Sequence, residues 1–237
     1  MRITRNWTSF VGGGGAFMLN KSNGNMYSWI THTWNTIKGE CPHGCTYCYM
    51  HRWKNQKPVR FDEKELKTDL GSGNFIFVGS SCDMFAEDIP AEWIIRTLQH
   101  CAKFDNKYLF QSKNTKDFSS IGVFMPDKTV LCTTIETNRW YPEIMKNSPH
   151  PFDRARYMKQ YKGLVKTYVT IEPIMDFDLD PLIKIIKWCN PEQVNIGADS
   201  GRNELPEPSK EKISELISEL EKFTIIDKKT NLNRLLK

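Results

Sequence analysis

The chain of 237 residues carries 33 basic and 28 acidic side chains, a formal net charge of +5, and is 39% hydrophobic and 12% aromatic. These values are typical of a globular protein with one sizeable core, and the charge permits an anionic partner without requiring one. No apolar run approaches the about 18 residues of a membrane span, and four glycines at 12–15 interrupt the first apolar stretch. We therefore expect no membrane segment and no export signal, and hence a cytoplasmic protein.

Short apolar segments typical of strands alternate with helical patterns after a polar, glycine-rich extension at 1–27. The predicted strands are 27–34, 75–81, 107–112, 129–136, 166–173 and 193–199. The predicted helices are 89–104, 153–161, 178–189 and 208–223, with a further one after Cys48. This alternation predicts an α/β fold with parallel strands and crossover helices, either a doubly wound open sheet or a full or partial β/α barrel.

Polar residues follow the predicted strands at the ends where both arrangements place functional groups. These residues are His32, Ser80, Ser81, Cys82, Asp83, Gln111, Lys113, Glu136, Asn138, Glu172, Asp199 and Ser200. Any one of them is explained by a loop or a helix cap. A polar group at every strand end instead indicates a functional site there.

Three of the seven cysteines, Cys41, Cys45 and Cys48, stand within eight positions directly after the first predicted strand. The number of cysteines is odd and we expect no export signal. Both features favour metal or redox chemistry over a disulfide framework. A zinc site would need a fourth ligand such as Cys82 from a distant segment. An iron-sulfur cubane on three thiolates would leave one iron open to another ligand.

The spacing C-x3-C-x2-C after the first strand, with Tyr47 before the last cysteine, resembles the radical SAM family. Five segments extend the likeness to a bacterial and phage group of unassigned function related to spore photoproduct lyase. They are WNTIKGECPHGCTYCYMHR, FVGSSCDMFAEDIP, FQSKN, IETN and VTIEPIMDF. The resemblance covers about residues 34–201.

This resemblance implies a partial (β/α)6 TIM-like barrel of parallel strands over 28–201, with 202–237 as a C-terminal helix and tail packed on it. It implies a [4Fe-4S] cluster on Cys41, Cys45 and Cys48, with S-adenosylmethionine (SAM) on the fourth iron. It also implies an electron donor such as flavodoxin or ferredoxin, and reductive cleavage of SAM to a 5′-deoxyadenosyl radical that takes hydrogen from a substrate. We expect a monomer.

Within that framework we assign roles to residues at the strand ends. Tyr47 is expected near the adenine. The family's glycine-glycine-glutamate motif, whose backbone binds the SAM amino group, reads GSSCD at 79–83. Ser80 and Ser81 are therefore expected to bind this amino group instead. Glu136 is our candidate for the ribose hydroxyls, with Asp199 as a further cofactor contact. His43 is expected to be a loop residue near the cluster.

Three further residues are predicted to act on the substrate. Lys113 is expected to bind the SAM carboxylate or an anionic substrate group, and Glu172 to face the substrate. Cys82 could return a hydrogen atom to a substrate radical, although a small buried residue is the plainer interpretation. Cys101, Cys132 and Cys189 are predicted to pack in the core.

The substrate is the least determined part of the prediction. Kinship to the lyase, the basic charge and aromatic residues such as Trp53, Trp140 and Tyr141 suit a nucleobase in DNA or RNA. A peptide or a small metabolite is the alternative substrate. A non-catalytic, zinc-stabilised nucleic-acid-binding module is the alternative class of protein.

Overall fold

The computed structural model describes residues 17–23 and 27–237. Its strands are β1 (Phe17–Met18), β2 (Asn20–Lys21), β3 (His32–Trp34), β4 (Ile37–Lys38), β5 (Arg60–Phe61), β6 (Thr68–Asp69), β7 (Phe75–Val78), β8 (Lys107–Gln111), β9 (Thr129–Thr134), β10 (Lys166–Ile171), β11 (Gln193–Ile196) and β12 (Ile225–Lys228). Its α-helices are α1 (Ala91–Cys101), α2 (Pro142–Met145), α3 (Pro151–Met158), α4 (Leu179–Cys189) and α5 (Lys210–Glu221). Short 3-10 helices span Tyr49–Arg52, Glu63–Lys67, Thr115–Phe124, Lys159–Tyr161 and Thr230–Arg234.

One sheet organises the described part of the chain, in the order β12-β11-β10-β9-β8-β7-β3-β2. Every neighbouring pair from β3 to β12 is parallel, and only β2 runs antiparallel, against β3. Because sequential parallel strands require crossover connections, this order confirms the predicted α/β class. Strand β12 adds a seventh parallel strand to the six that the sequence predicted.

Both faces of the sheet are covered. All six residues of β9 are buried, and so are five of the six residues of β10. Alternate residues belong to two separate hydrophobic clusters, with Leu109 and Val130 in one and Phe110 and Leu131 in the other. The larger cluster includes the apolar residues of α1, α4 and α5, so these helices cover one face.

The other face is filled by side chains that precede β3. The hydroxyl of Tyr27 donates to Gln111 Oε1 at 2.8 Å and lies 2.7 Å from Thr170 Oγ1. Trp29 Nε1 donates to Asp227 Oδ2 of β12 at 3.0 Å, which joins the two ends of the parallel array. The sheet is therefore curved like a barrel wall. The predicted strand at 27–34 begins only at His32 because these aromatic residues turn inward.

The structure describes only part of the N-terminal extension that the sequence predicted. The extension at 1–27 is described only for 17–23 and residue 27, and β1 pairs there with β6. Segment 202–237 contains α5 and β12. All seven cysteines have free thiols, and Cys101, Cys132 and Cys189 are buried in the core as predicted. None of the helices in the described ranges is long and apolar enough to cross a membrane.

Candidate active site

The cysteine loop, residues 41–48, lies after β3 and β4 at the carboxyl ends of the parallel strands, which we call the mouth. Its backbone forms two successive turns, because Gly44 N donates to Cys41 O and Cys48 N donates to Cys45 O, each at 3.1 Å. Gly44 has a φ of +61°, a conformation that L side chains rarely adopt. Cys45 is buried, whereas Cys41 and Cys48 are half-buried. The three thiols are thus presented from one compact loop.

A second segment, residues 141–148, clamps the cysteine loop from outside. Thr46 N donates to Ile144 O at 3.0 Å, and Asn147 N donates to His43 O at 3.0 Å. The Asn147 side-chain amide adds a bond of 3.1 Å to Pro42 O. Cys45 Sγ lies 3.7 Å from Ser148 Oγ. These contacts give the loop a fixed backbone before any ligand is considered.

His43 anchors the loop to the ends of β7 and β8. Its Nε2 lies 2.8 Å from Asp83 Oδ2, and the same oxygen accepts from Ser112 Oγ and from Lys113 N, each at 2.9 Å. Burial by itself raises the pKa of Asp83, but the facing His43 and the backbone donors hold it below its usual range. His43 is therefore engaged by a carboxylate, in keeping with the prediction of a loop residue.

Tyr47 reaches a buried group of charges below the loop. Its hydroxyl donates to Glu136 Oε1, while Arg154 Nη1 donates to Glu136 Oε2 at 2.7 Å. Glu136 and Arg154 have no exposed side-chain surface. Burial raises the pKa of Glu136, yet Arg154, Lys113 and the Tyr47 hydroxyl hold it below its usual value. The same burial and the Glu136 charge raise the pKa of Tyr47.

Arg154 was missed by the sequence analysis although it completes this group. Its guanidinium also donates to the backbone oxygens of Thr134 at 2.9 Å and Pro149 at 2.6 Å, and to Ser148 Oγ at 3.3 Å. It lies on the buried face of α3 with Ala155 and Met158. A charged residue on an otherwise apolar helix face was the signal that could have revealed it, because buried charges are normally paired.

Lys113 points into the same space with fewer partners. Its Nζ lies 3.9 Å from Glu136 Oε1 and 5.4 Å from the centroid of the Tyr47 ring. Burial lowers the pKa of this ammonium, but the Cys45 thiol and Glu136 outweigh it and the pKa is raised. The residue is therefore a cation beside the cysteine loop that retains capacity to donate hydrogen bonds.

Cys82 lies in the turn after β7, beside the cysteine loop. The interaction between its thiol and that of Cys41 lowers the pKa of Cys41 and raises the pKa of Cys82, and burial raises the pKa of Cys82 further. The Cys82 side chain is buried, with 3% of the residue exposed. A fourth sulfur therefore borders the three of the loop.

Ser80 and Ser81 lie in the turn after β7, where Asn35 holds them. Asn35 Oδ1 accepts from Ser81 N at 2.9 Å and from Ser80 Oγ at 3.2 Å. The buried Ser81 hydroxyl has no hydrogen-bond partner among the described residues. A buried hydroxyl without a partner is costly, so this atom is suited to a bound ligand.

The other two predicted site residues are occupied by protein partners. Glu172 pairs with Lys229 and accepts from Asn231 Nδ2 at 2.9 Å, which links the end of β10 to the segment after β12. Asp199 accepts from Gly201 N at 2.9 Å and from Asn203 Nδ2 at 2.7 Å within its own loop. Both carboxylates thus stabilise the mouth, and Glu136 does so together with Arg154.

The three thiols of the cysteine loop are a donor set that an iron-sulfur cluster can use. In the described residues, no three His, Cys, Asp or Glu side chains converge closely enough to bind one ion. Tetrahedral zinc needs four ligands at about 2.0–2.3 Å from one centre, whereas each thiolate of a cubane binds a different iron. The Lys113 ammonium lies beside Tyr47 of the same loop.

Solved structures of two enzymes have the same fold. Spore photoproduct lyase complexed with dinucleoside spore photoproduct matches with a TM-score of 0.66 and 11% identity over 88% of this chain and 78% of the lyase. A variant of that lyase with bound AdoMet and the dinucleoside matches with a TM-score of 0.55 and 11% identity, over 86% of this chain and 64% of the variant. Methylornithine synthase matches with a TM-score of 0.51 and 13% identity, over 82% of this chain and 63% of the synthase. No curated protein matches by sequence.

These matches show that the chain has the fold of radical SAM enzymes, a barrel-like α/β sheet, as the sequence predicted. The profile of the family described as protein of unknown function (DUF5131) matches residues 25–210. The chain belongs to this family.

Proposed function

We propose that the protein is a radical SAM enzyme whose Cys41, Cys45 and Cys48 hold a [4Fe-4S] cluster with SAM as its further ligand. The observation that carries this proposal is the clamped cysteine loop beside the Lys113 ammonium, at the mouth of a radical SAM fold. When bound, the cluster and SAM together supply reductive cleavage of SAM and hydrogen abstraction from a substrate. Within that class, we place the chain in the group of bacterial and phage proteins related to spore photoproduct lyase.

The chain's own residues hold and shield these groups. Segment 141–148 and the His43–Asp83 pair fix the loop that carries the three thiols. Lys113 is placed to neutralise the SAM carboxylate, and the Ser81 hydroxyl to bond with a polar group of SAM. Tyr47 is proposed to border the adenine, with Ser80 beside it. Glu136, held by Arg154, fixes Tyr47 in place.

Cys82 is proposed as the hydrogen donor that ends the reaction, because it is the extra thiol next to the cysteine loop. Glu172 is proposed to border the substrate while paired to Lys229, and Asp199 to shape the neighbouring loop. The proposed substrate class is a nucleobase in DNA or RNA. The support is the lyase structure with a bound dinucleoside, and a peptide or small metabolite is the competing outcome, since methylornithine synthase has the same fold.

The test is anaerobic reconstitution with iron and sulfide, followed by reduction with dithionite in the presence of SAM. We expect a brown protein with absorption near about 400 nm and formation of 5′-deoxyadenosine. Cys45→Ala is expected to abolish both, while Cys189→Ala, a buried cysteine far from the loop, leaves them intact. A colourless chain with one bound zinc would refute the proposal. Stimulation of 5′-deoxyadenosine by DNA, tRNA or peptide would assign the substrate class.

A further inference from the structure

A cavity of about 350 Å³, which we call the rim cavity, lies between the loop after β11 and the segment after β12. Residues of 199–202 form one wall and residues of 230–237 form the other. Both walls begin at the carboxyl ends of their strands, which are parallel. The rim cavity therefore lies at the same edge of the sheet as the cysteine loop. Its volume falls within the range of small-ligand sites, about 300–1,000 Å³.

Hydrogen bonds hold the two walls of the rim cavity together. Ala198 N donates to Asn231 Oδ1 at 3.3 Å, and Asn231 Nδ2 donates to Ala198 O at 2.8 Å. Arg234 Nη2 donates to Asp199 O at 3.0 Å, while its Nη1 donates to Glu207 Oε2 at 2.7 Å. The protein itself therefore fixes the distance between the two walls.

The charges that line the rim cavity leave a positive excess. Three cations and one carboxylate belong to the lining. The carboxylate of Asp199 accepts hydrogen bonds within its own loop, and Arg234 forms an ion pair with Glu207. Arg202 and Lys237 form no ion pair with a carboxylate of the described residues. These two charges are therefore available to a ligand.

Neutral hydrogen-bond donors complete the lining. They are the hydroxyls of Ser200 and Thr230 and the side-chain amide of Asn233, all at exposed positions. A carboxylate ligand has only two oxygens in one plane, and a single arginine fork satisfies both. A phosphate group has several acceptor oxygens around one centre and, as a monoester, a charge of about −1.5 to −2. Donors on two facing walls together with two unpaired cations therefore match a phosphate group.

The loop that forms one wall of the rim cavity also packs against the segment that clamps the cysteine loop. Leu205 is buried in one cluster with Met145 and Met175, and Tyr47 packs against the same cluster. The wall of the rim cavity and the cysteine loop therefore belong to one packed region of the mouth.

Resting on the proposed function, we infer that the rim cavity binds a phosphate group of the substrate. Arg202 and Lys237 neutralise this group, and the hydroxyls of the lining donate to its oxygens. Phosphate contacts fix the position and orientation of a nucleic acid without reading its bases. The rim cavity thus orients the substrate while the mouth receives the group that reacts. A phosphodiester of DNA or RNA and the phosphate of a small ester share this chemistry, and binding measurements separate the two.

The first experiment measures binding of a short, fluorescein-labelled single-stranded DNA to the full-length, reconstituted protein by fluorescence anisotropy. Arg202→Gln/Lys237→Gln is expected to raise the Kd about tenfold or more, because charge-assisted hydrogen bonds to phosphate are lost. The slope of log Kd against log salt should become shallower by about 0.7 for each lost phosphate contact.

Arg156→Gln/Lys159→Gln is the matched control for this experiment. It removes one arginine and one lysine from exposed positions outside the rim cavity. Its Kd should stay within about twofold of wild type. Circular dichroism checks that both variants fold. Equal effects of the two variants on DNA binding and on phosphate binding would overturn the assignment of the rim cavity.

The second experiment titrates inorganic phosphate at constant ionic strength and follows its phosphorus NMR line width. Phosphate is expected to bind wild type and to displace the labelled DNA from it, and to bind Arg202→Gln/Lys237→Gln at least about tenfold more weakly. Weaker phosphate binding with unchanged DNA binding would assign the cavity to a small phosphate ester. Absence of phosphate binding to wild type would overturn the inference. Wild type that binds phosphate but forms neither a cluster nor 5′-deoxyadenosine would overturn the proposed function alone.

Discussion

Arg154 is the residue on which the buried charges below the cysteine loop depend. It neutralises Glu136, and neither side chain reaches solvent. Removing one partner of a buried ion pair leaves an uncompensated charge, so Arg154→Met is expected to lower the free energy of unfolding by about 3–5 kcal/mol. Arg156→Met, at an exposed position of the same helix, should change it by no more than about 0.5 kcal/mol. Urea unfolding measures both.

A partial recovery in the double variant Arg154→Met/Glu136→Gln would support this explanation, because it removes the unpaired charge. If the double variant is no more stable than Arg154→Met, lost packing of the arginine side chain is the cause instead.

Two buried carboxylates predict how stability depends on pH. The pKa values of Asp83 and Glu136 are held below their usual range in the folded chain by neighbouring cations and donors. Such groups contribute stability above their unfolded pKa of about 4, and this contribution is lost as the pH falls through the folded pKa. Unfolding free energies measured from pH 6 to pH 3 should therefore decline mainly below about pH 4. Asp83→Asn should show a shallower decline, and an unchanged slope would argue against this account.

Lys113 is the cation that we propose to bind the SAM carboxylate. Hydrogen bonds to charged groups contribute about 1.5–3 kcal/mol, so Lys113→Met is expected to weaken SAM binding by about 10- to 100-fold. Equilibrium dialysis with the reconstituted protein measures this. Lys116→Met, exposed and three residues further on, is the control. Cluster absorption should be unchanged in both variants, and loss of the cluster in Lys113→Met would assign the lysine to the loop instead.

At the scale of elements, two glycines frame the cysteine loop differently. A Cβ at Gly39, which has a φ of +112°, would lie 2.6 Å from Pro58 O, whereas a Cβ at Gly44 meets no atom within 4 Å. Gly44→Ala should therefore lower the free energy of unfolding only by the cost of a left-handed backbone at alanine, about 1–2 kcal/mol. Gly39→Ala should lower the free energy of unfolding by more, because the added Cβ would also meet the backbone oxygens of Lys57 and Pro58.

Thermal unfolding of the two glycine variants makes this comparison. The expected order of melting temperatures is wild type, then Gly44→Ala, then Gly39→Ala. Gly39→Ala should also lower the stoichiometry of bound iron. Equal losses for the two variants would mean that the close approach between residues 39 and 58 does not constrain the loop.

Across the whole molecule, one contact joins residues 198 positions apart. Trp29 Nε1 donates to Asp227 Oδ2 and so connects the start of the parallel array to its last strand. Trp29→Phe and Asp227→Ala are each expected to cost about 1 kcal/mol through the lost hydrogen bond. In a double-mutant cycle measured by urea unfolding, the two losses should not add. If the two losses of unfolding free energy add in full, the hydrogen bond does not stabilise the contact between the two ends of the sheet.

The sequence predicted the parallel α/β fold because its strands are compact apolar runs such as those around Leu109 and Val130. It did not predict β12, whose residues are only half-buried or exposed and therefore lack the usual apolar signal. It placed Lys113, Glu136 and Cys82 at the mouth because strand ends are visible as polar residues after apolar runs. It could not show that Glu136 is paired with Arg154, since that contact depends on how α3 packs.

The clamp on the cysteine loop has a consequence for how the protein is made. Residues 41–48 leave the ribosome early, but their backbone partners Ile144 and Asn147 follow about one hundred positions later, and Arg154 later still. Domains fold as their segments become available during synthesis. The loop therefore takes its final shape only after residues 141–154 have emerged, and the proposed cluster would be inserted only after that point.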